Sequence, residues 1–344
     1  MKVTINDIAK AAGVSKSTVS KVMNDSPTIS EATKRKVREI MKQMNYTPSS
    51  IATQLARQSS FNIGLVVDMS RQNDFLNHDF YNIMGGLESV IASHHYELTI
   101  CNIGNLETSD FFARYIYNKR VDGIVLDNSI LTQEMASELL ELSFPFVSLG
   151  ELDGRDDIFS VDLDNRTGGS MLTQHLIDQG YKRIAFLGGE RADRIFQNRI
   201  KGYKKTFAEH QLPVQEKWIR TGFSNEENGR AFIRHLLEQD ERPDAFICMN
   251  NNVAFGALQT IVAAGIKVPE EMGIATFDNY PLAPYTTPPL TCLNTDTFQL
   301  GIDAGQMLMS QLHQQKSVAA PHQSFISPVL IERESTRLNQ IARP

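Results

Sequence analysis

The side chains around residue 15 could bind a polyanion. Ser15, Lys16, Ser17 and Lys21 lie close together in the chain, and lysine and serine donate hydrogen bonds to phosphates and to base edges. Residues 1–60 carry ten basic and four acidic side chains, whereas the other 284 residues carry 24 basic and 36 acidic ones. A basic segment joined to an acidic remainder favours nucleic-acid binding by that segment alone, although a solvated helix face would show the same charges.

Three short helices are needed to position these side chains. Thr4 opens a capping box, and the helix that follows ends at Gly13. Ser15 can cap a second helix over residues 16–23, and Ser30 can cap a third, whose apolar side chains recur at helical spacing. A helix, a glycine-containing turn and a short second helix with exposed lysine and serine form the helix-turn-helix arrangement of DNA-binding domains.

The segment after Pro48 favours a marginal helix. Residues 49–57 read SSIATQLAR, and isolated helices shorter than about 12 residues are barely stable in water. Leu55 is an apolar side chain on an otherwise polar helix, so it needs a partner outside that helix. We therefore expect order here only where another surface, either the body of the chain or DNA, packs on Leu55.

From residue 61 onward, strand-like and helical patterns alternate, which is typical of parallel α/β sheets. The predicted strands are Ile63–Asp68, Leu98–Asn102, Gly123–Asp127, Phe144–Leu149, Ile158–Asp162, Arg183–Gly188, Ala245–Met249, Gly273–Phe277 and Leu290–Asn294. The helical patterns between them include Phe80–Ser93, Thr167–Gln179, Ile195–His210, Glu226–Glu238 and Val253–Ala264. These strands are too many for one sheet. We predict two consecutive, doubly wound α/β subdomains with a ligand cleft outside the carboxyl ends of their strands.

Composition and motifs exclude several classes of protein. The chain has 344 residues, is 41% hydrophobic and 22% charged, and its apolar runs are too short to span a membrane. The amino-terminal MKVTINDIAK lacks the apolar run of a secretory signal, and the three cysteines lie in strand-like runs, so we expect buried thiols in a cytoplasmic protein. No nucleotide-binding, metal-ligand or nucleophile motif occurs, and we expect no enzyme activity, no cofactor and no metal.

The order of the motifs resembles one known family. VTINDIAKAAGVSKSTVSKVMN is followed by NYTPSSIATQLAR and then by an α/β body. The body contains, in order, FPFVSLG, VDLDNRTGG, HLIDQGYKRIAFLGG, RIKGY, FICMNNNVAFGAL, GIATFDN and SPVLIERES. With this order of motifs, the chain resembles the lactose/galactose repressor (LacI/GalR) family of bacterial transcriptional regulators over nearly its whole length.

The resemblance implies a division of the chain into three parts. Residues 1–47 would form the helix-turn-helix DNA-binding domain, and residues 48–60 the hinge helix and linker. Residues 61–344 would form a periplasmic-binding-protein-like body that binds an effector and dimerises. Within this body, subdomain 1 would comprise about 61–160 and 291–322, and subdomain 2 about 161–290 and 323–340.

The resemblance also implies DNA contacts. It places the exposed face of Lys16, Ser17 and Lys21 in the major groove, although Lys21 stands where the family commonly has an arginine, and lysine cannot make the same bidentate fork. It makes Leu55, with Ala52 beside it, a wedge in the minor groove. The implied DNA-binding residues are Thr4, Ser15, Lys16, Ser17, Thr18, Ser20, Lys21, Asn24, Tyr46, Ala52 and Leu55.

An effector pocket between the subdomains is implied in the same way. Its residues would be Phe80, Tyr81, Asp164, Arg199, Phe223, Asn250 and Asp278. Carboxylates, an arginine and an amide can each bridge two neighbouring hydroxyls, and aromatic faces cover the apolar side of a sugar ring, so this set suits a neutral sugar or polyol. Alternatively, Arg199 and Asp278 form a structural ion pair across the cleft.

The predicted function is therefore regulation of transcription. We expect a homodimeric repressor of a carbohydrate-utilisation operon that binds a pseudo-palindromic operator in double-stranded DNA, with its affinity modulated by a sugar or sugar derivative. One alternative is a catabolite-control-type regulator whose main co-regulator is a phosphocarrier protein. The other is a sugar-binding protein without a regulatory role.

Overall fold

The computed structural model describes residues 3–46, 59–70, 78–279, 282–313 and 322–338. The amino-terminal part, residues 3–46, is a three-helix domain. Its helices are α1 (Ile5–Ala12), α2 (Lys16–Met23) and α3 (Glu31–Gln43), as the capping pattern predicts.

Local hydrogen bonds begin and end these helices. The Thr4 amide donates to the Asp7 carboxylate at 2.9 Å, and the Ser15 hydroxyl accepts from the Thr18 amide at 3.1 Å. Gly13 ends α1 in the left-handed conformation, at a φ of 66°. Ile8, Ala9, Ala12, Val19, Val22 and Val37 are buried and form the core of this domain.

The first sheet of the body is entirely parallel. Its strands are β1 (Asn62–Val67), β2 (Glu97–Asn102), β3 (Gly123–Asp127), β4 (Phe146–Leu149), β5 (Ser160–Leu163) and β11 (Gln323–Ile326), in the order β11-β5-β4-β3-β1-β2. Helices α4 (His78–Ile91), α5 (Thr108–Phe111), α6 (Gln133–Glu141) and α11 (Thr297–Leu312) accompany it, and a π-helical turn, Phe112–Tyr117, continues α5. Buried clusters cover both of its faces, which explains the continuous apolar runs of its central strands.

The second sheet is parallel except at one edge. Its strands are β6 (Ile184–Leu187), β7 (Ile219–Arg220), β8 (Ala245–Cys248), β9 (Gly273–Phe277), β10 (Thr291–Asn294) and β12 (Val329–Ile331), in the order β12-β10-β9-β8-β6-β7. Strand β12 pairs antiparallel with β10. Helices α7 (Asn165–Asp178), α8 (Arg194–Glu209), α9 (Glu226–Leu237) and α10 (Asn251–Ala263) accompany this sheet.

The predicted doubly wound α/β architecture with two sheets is confirmed, with corrections to its limits. Strand β10 lies in the second sheet, although residues 291–322 were expected in subdomain 1, because it pairs with β9. Strand β11 lies in the first sheet, although residues 323–340 were expected in subdomain 2, because it pairs with β5. The chain thus passes between the sheets after β5, after β10 and after β11.

Close packing of α4 on α11 fixes the edge of the cleft. A Cβ on Gly86 would lie 2.0 Å from the carbonyl oxygen of Phe298, so only glycine allows this approach of the two backbones. At the amino ends of the pair, the Thr297 hydroxyl donates to the Asp79 carboxylate at 3.2 Å and accepts from the Asn82 amide at 3.1 Å. These contacts hold the first turns of both helices beside the carboxyl ends of the first sheet.

The three cysteines, Cys101, Cys248 and Cys292, are free and buried, as predicted. Burial raises the pKa of the Cys101 thiol to about 12, so this thiol stays protonated at neutral pH. None of the helices in the described ranges is long and apolar enough to cross a membrane.

Candidate functional site

The predicted DNA-binding face of α2 is exposed. Lys16, Ser17 and Lys21 all lie at the surface of the domain. Ser15 already caps the helix, and its hydroxyl lies 2.7 Å from that of Ser17 and 2.8 Å from that of Thr18. The first turn of α2 therefore presents hydroxyls and an ammonium group on a rigid, capped end, an arrangement suited to phosphates and base edges.

The other predicted DNA-binding residues have different surroundings. Thr4 is exposed, but its hydroxyl donates to the Asp7 carboxylate at 2.7 Å. Tyr46 packs on the core of the three-helix domain. Thr18, Ser20 and Asn24 are half-buried, whereas Ala52 and Leu55 lie outside the described residues.

An ion-pair network that was not predicted from the sequence holds the turn after α2. The Lys34 ammonium lies 3.1 Å from the Asp25 carboxylate and 2.9 Å from that of Glu31, and the Arg38 guanidinium lies 2.6 Å from Asp25. Hydrogen bonds from Lys34 and then Arg38 lower the pKa of Asp25 below its ordinary value. Asp25 has a φ of 50°, so this network secures a left-handed residue that ends the α2 segment. The sequence carried a signal for this network, because Lys34 and Arg38 are four residues apart on α3 and so lie on the same face of that helix.

A cavity of about 450 Å³ opens at the carboxyl ends of β1, β3, β4 and β5. The first turns of α4, α8 and α11 close it, so residues that accompany both sheets line it. Its apolar wall includes Phe80, Ile83 and Leu149. Its charged and amide side chains include Asp68, Asp79, Asp127, Asp162, Arg194 and Asn198. The position agrees with the rule that ligands of open α/β sheets bind beyond the carboxyl ends of the strands.

Of the predicted effector residues, Phe80 lines this cavity. Tyr81 is half exposed, and its ring centroid lies 5.6 Å from that of Phe80. Phe223 is exposed over 68% of its surface. Asp164 caps α7 by accepting from the Thr167 amide at 2.9 Å, and Asn250 caps α10 by accepting from the Val253 amide at 3.0 Å. The other six predicted effector residues lie outside the set of residues that line the cavity, and they are Tyr81, Asp164, Arg199, Phe223, Asn250 and Asp278.

Arg199 is buried in a network of its own. Its Nε donates to Asn165 at 2.9 Å, its Nη1 donates to the Met249 carbonyl at 2.6 Å, and its guanidinium lies 3.7 Å from the centroid of the Phe277 ring. Burial lowers the pKa of Arg199, and the charge of Asp278 raises it. The guanidinium thus joins α7, the residue that follows β8, and β9 through neutral partners, and the charge of Asp278 acts on it as well.

Asp162 is a cavity carboxylate whose pKa is shifted by its surroundings. Burial raises the pKa of Asp162 to about 6, while hydrogen bonding by the Leu163 amide, at 2.7 Å, lowers it. Arg194, at the start of α8, lies 2.9 Å from Asp153 and 3.6 Å from Glu151, both in the loop after β4. These ion pairs connect a helix of the second sheet with a loop of the first at the edge of the cavity.

The carboxylates of the cavity were missed, although the sequence carried a signal for them. Three of the predicted strands end at Asp68, Asp127 and Asp162, and parallel strands present their carboxyl ends at one edge of a sheet. With Asp79 and Arg194, the lining carries more negative than positive charge. Such a surface accepts hydrogen bonds from hydroxyls and disfavours an anionic ligand.

Comparisons with known proteins match both parts of the chain. Residues 4–49 match the family described as bacterial regulatory proteins, lacI family, and residues 173–336 match the periplasmic binding protein-like domain. The HTH-type transcriptional repressor PurR of Vibrio cholerae serotype O1 (strain M66-2) is 32% identical over 342 residues, covering 97% of this chain and 98% of that protein.

Two solved structures have a similar fold. The transcriptional regulator CelR in complex with cellobiose aligns with a TM-score of 0.71 and 26% identity, over 97% of this chain and 100% of that one. The Lac repressor dimer bound to operator and the anti-inducer ONPF aligns with a TM-score of 0.80 and 24% identity, over 98% of this chain and 99% of that one. At 24% identity, the similarity to the Lac repressor shows a shared fold.

Proposed function

The chain belongs to the LacI family of bacterial regulatory proteins and is a DNA-binding transcriptional repressor with an effector-binding body, and we propose that its effector is a neutral, sugar-like molecule. The observation that carries this proposal is the lining of the cavity. The lining contains four carboxylates and one arginine, namely Asp68, Asp79, Asp127, Asp162 and Arg194. The site therefore attracts hydroxyl donors and repels phosphate groups.

The size and walls of the cavity support the same ligand class. Its volume of about 450 Å³ lies within the range of about 300–1,000 Å³ that is usual for small-molecule sites. Phe80 and Ile83 provide an apolar surface for the C–H face of a ring, and the carboxylates surround the hydroxyls. CelR, the regulator of similar fold, was solved with the disaccharide cellobiose, which agrees with this chemistry.

On the DNA side, we propose that the exposed start of α2 reads the operator. Lys16, Ser17 and Lys21 would contact base edges in the major groove, while Ser15 and Thr4 would contact phosphates. Thr18, Ser20, Asn24 and Tyr46 would support this face, and Ala52 and Leu55 would enter the minor groove. A homodimer in the cytoplasm would bind a pseudo-palindromic operator of a carbohydrate-utilisation operon, because a two-fold assembly fits a two-fold site.

A thermal-shift screen tests the proposed effector. Neutral mono- and disaccharides are compared with the corresponding sugar phosphates at equal concentration. A ligand at 100 times its Kd adds about 2.7 kcal/mol to the free energy of unfolding, which is readily measured as a rise in melting temperature. We expect stabilisation by a neutral sugar and none by its phosphate. Stabilisation by the phosphate alone would contradict the argument from cavity charge.

A further inference from the structure

The Asp122 carboxylate binds three consecutive residues that precede the first strand. Its Oδ1 accepts from the Ser60 amide at 2.8 Å and from the Ser60 hydroxyl at 2.9 Å, and its Oδ2 accepts from the Phe61 amide at 3.0 Å. The Ser59 hydroxyl also donates to Asp122. These three residues directly follow residues 47–58, which connect the DNA-binding domain with the body and lie outside the described ranges. One side chain therefore holds the point where the connecting segment meets the body.

The backbone at this point is constrained on two sides. Phe61 has a φ of 55°, a left-handed conformation that is unusual for a bulky aromatic residue. Its amide donates to Asp122, its carbonyl accepts from the Glu97 amide at 2.9 Å, and its ring lies 5.6 Å from the Tyr96 ring. Such a conformation persists only where its surroundings impose it, and here Asp122 and the start of β2 impose it together.

The strands that follow this anchor lead to the cavity. Phe61 directly precedes β1, Asp122 directly precedes β3, and the two strands pair in register from Ile63 opposite Gly123. At their far ends, Asp68 and Asp127 line the cavity. The pair of strands thus has the effector cavity at its carboxyl end and the anchored connection at its amino end, about 15–20 Å away at about 3.3 Å per residue.

The second sheet contains a similar anchor, made by backbone amide donors and without the connection to the DNA-binding domain. Asp244 directly precedes β8 and accepts from the Lys182 amide at 3.2 Å and from the Arg183 amide at 2.9 Å, just before β6. The backbone amide of each aspartate also donates to the neighbouring strand. Asp122 donates to the carbonyl of Asn62, the first residue of β1, and Asp244 donates to the carbonyl of Arg183, directly before β6, each at 2.8 Å. Asp244 is therefore a matched internal control, because its anchored residues follow α7 instead of the connecting segment.

We propose that Asp122 is a positioning residue for operator binding. By holding residues 59–61, it fixes the direction in which the connecting segment leaves the body, and so transmits to the DNA-binding domain any shift of β1 relative to β3 that an effector causes. This inference rests on the proposed function of the chain as an effector-regulated repressor. Asp122 is then the residue through which the effector cavity and the DNA-binding domain communicate.

The experiment compares Asp122→Ala with Asp244→Ala in the full chain. Wild-type protein first selects its preferred sites from a random-sequence duplex library, and the selected fragment then serves as the probe in mobility-shift titrations. We expect Asp122→Ala to lower affinity for this fragment about tenfold, because it leaves several donors of the anchor unpaired, and Asp244→Ala to change it less than about twofold. Affinity for a fragment of random sequence should fall far less, so the ratio of the two affinities also drops.

Asp122→Asn provides a second variant in case the alanine variant does not fold. Asparagine keeps one acceptor oxygen and replaces the other by an NH₂ group, so we expect a smaller loss of operator affinity with melting retained. Hydrogen exchange of the amides of Ser60 and Phe61 should quicken in step with the loss of affinity in each variant. A role in the stability of the first sheet alone would also quicken this exchange, but it would leave the ratio of operator affinity to random-sequence affinity unchanged.

The possible results separate this inference from the proposed function. Wild-type affinity in both Asp122 variants, or equal losses in the Asp122 and Asp244 variants, would overturn the role of Asp122 and leave the repressor function intact. If the wild-type chain enriched no sequence from the library, the proposed function would fail, and this inference with it.

Discussion

The two candidate binding surfaces of this chain are built in opposite ways. The face of α2 is formed within one short stretch, where Ser15 caps the helix that exposes Lys16 and Lys21. The cavity is formed by Asp68, Asp127 and other side chains that meet only because parallel strands end at one edge. One surface is basic and exposed, and the other is acidic and recessed. The difference indicates that charge draws a polyanion to α2 and keeps it from the cavity, whose carboxylates offer hydrogen-bond acceptors to an uncharged ligand.

The largest expected effect concerns salt. If the basic domain binds DNA through about six to ten phosphate contacts per dimer, operator affinity should fall about 10³–10⁵-fold between about 50 and 200 mM salt. Effector affinity should change little over this range, because the proposed effector is neutral. Fluorescence anisotropy of a labelled operator fragment, measured beside calorimetric titration of the effector, checks both. A salt-independent operator affinity would remove the contrast between the two surfaces.

The next prediction compares what two arginines of α8 contribute to the stability of the body. Arg199→Ala leaves the Asn165 and Met249 oxygens without their buried donor and opens a space beside Phe277, so we expect a loss of about 2–4 kcal/mol in the free energy of unfolding. Arg194→Ala, five residues earlier on α8, removes partly exposed ion pairs and should cost less than about 1 kcal/mol. Urea unfolding measures both. Equal losses would mean that the Arg199 network contributes no more than a surface ion pair.

The sequence predicted the parts whose signals are local. Caps at Thr4, Ser15 and Ser30 and the alternation of strands and helices sufficed for the three-helix domain and both sheets. The short strands β11 and β12 lacked such a signal, because each owes its place to a partner distant in the chain.

The residues of the cavity also depend on parts of the chain that are distant in sequence. The family resemblance implied Asp164, which caps a helix, and not Asp162, two residues earlier, which lines the cavity. A motif identifies the loop in which a site lies, but the side chain that faces the ligand depends on how the strand end is oriented. Arg194 was missed because its partners, Glu151 and Asp153, follow a strand of the other sheet.

A smaller effect tests whether the α2 face reads bases or only supplies charge. Lys16→Ala and Lys36→Ala each remove one exposed positive charge, the first from α2 and the second from α3. We expect Lys16→Ala to weaken operator binding by about 1–2 kcal/mol and to change which bases are preferred, whereas Lys36→Ala should weaken all sequences slightly and alike. Selection from a random library with each variant makes the comparison. Identical base preferences in both variants would reduce the role of Lys16 to net charge.

The smallest effect concerns the pH dependence of stability in the cavity. Burial raises the pKa of Asp162 to about 6, above its ordinary value of 3.8 in the unfolded chain. Folding therefore takes up a proton between these values, and the contribution of Asp162 to stability is full below about pH 4 and is lost as the pH rises through about 6.

Asp162→Asn cannot lose that contribution, because the amide does not titrate. Relative to wild type, the variant should gain about 1 kcal/mol in the free energy of unfolding between pH 4 and pH 7, less than the whole pKa shift implies because the side chain is only partly buried. Asp164→Asn is the matched control, since asparagine caps α7 as well as aspartate does. Urea unfolding at several pH values measures the difference. A relative loss instead of a gain would mean that the cavity stabilises the ionised carboxylate, and the site would then suit a cationic ligand better than a neutral one.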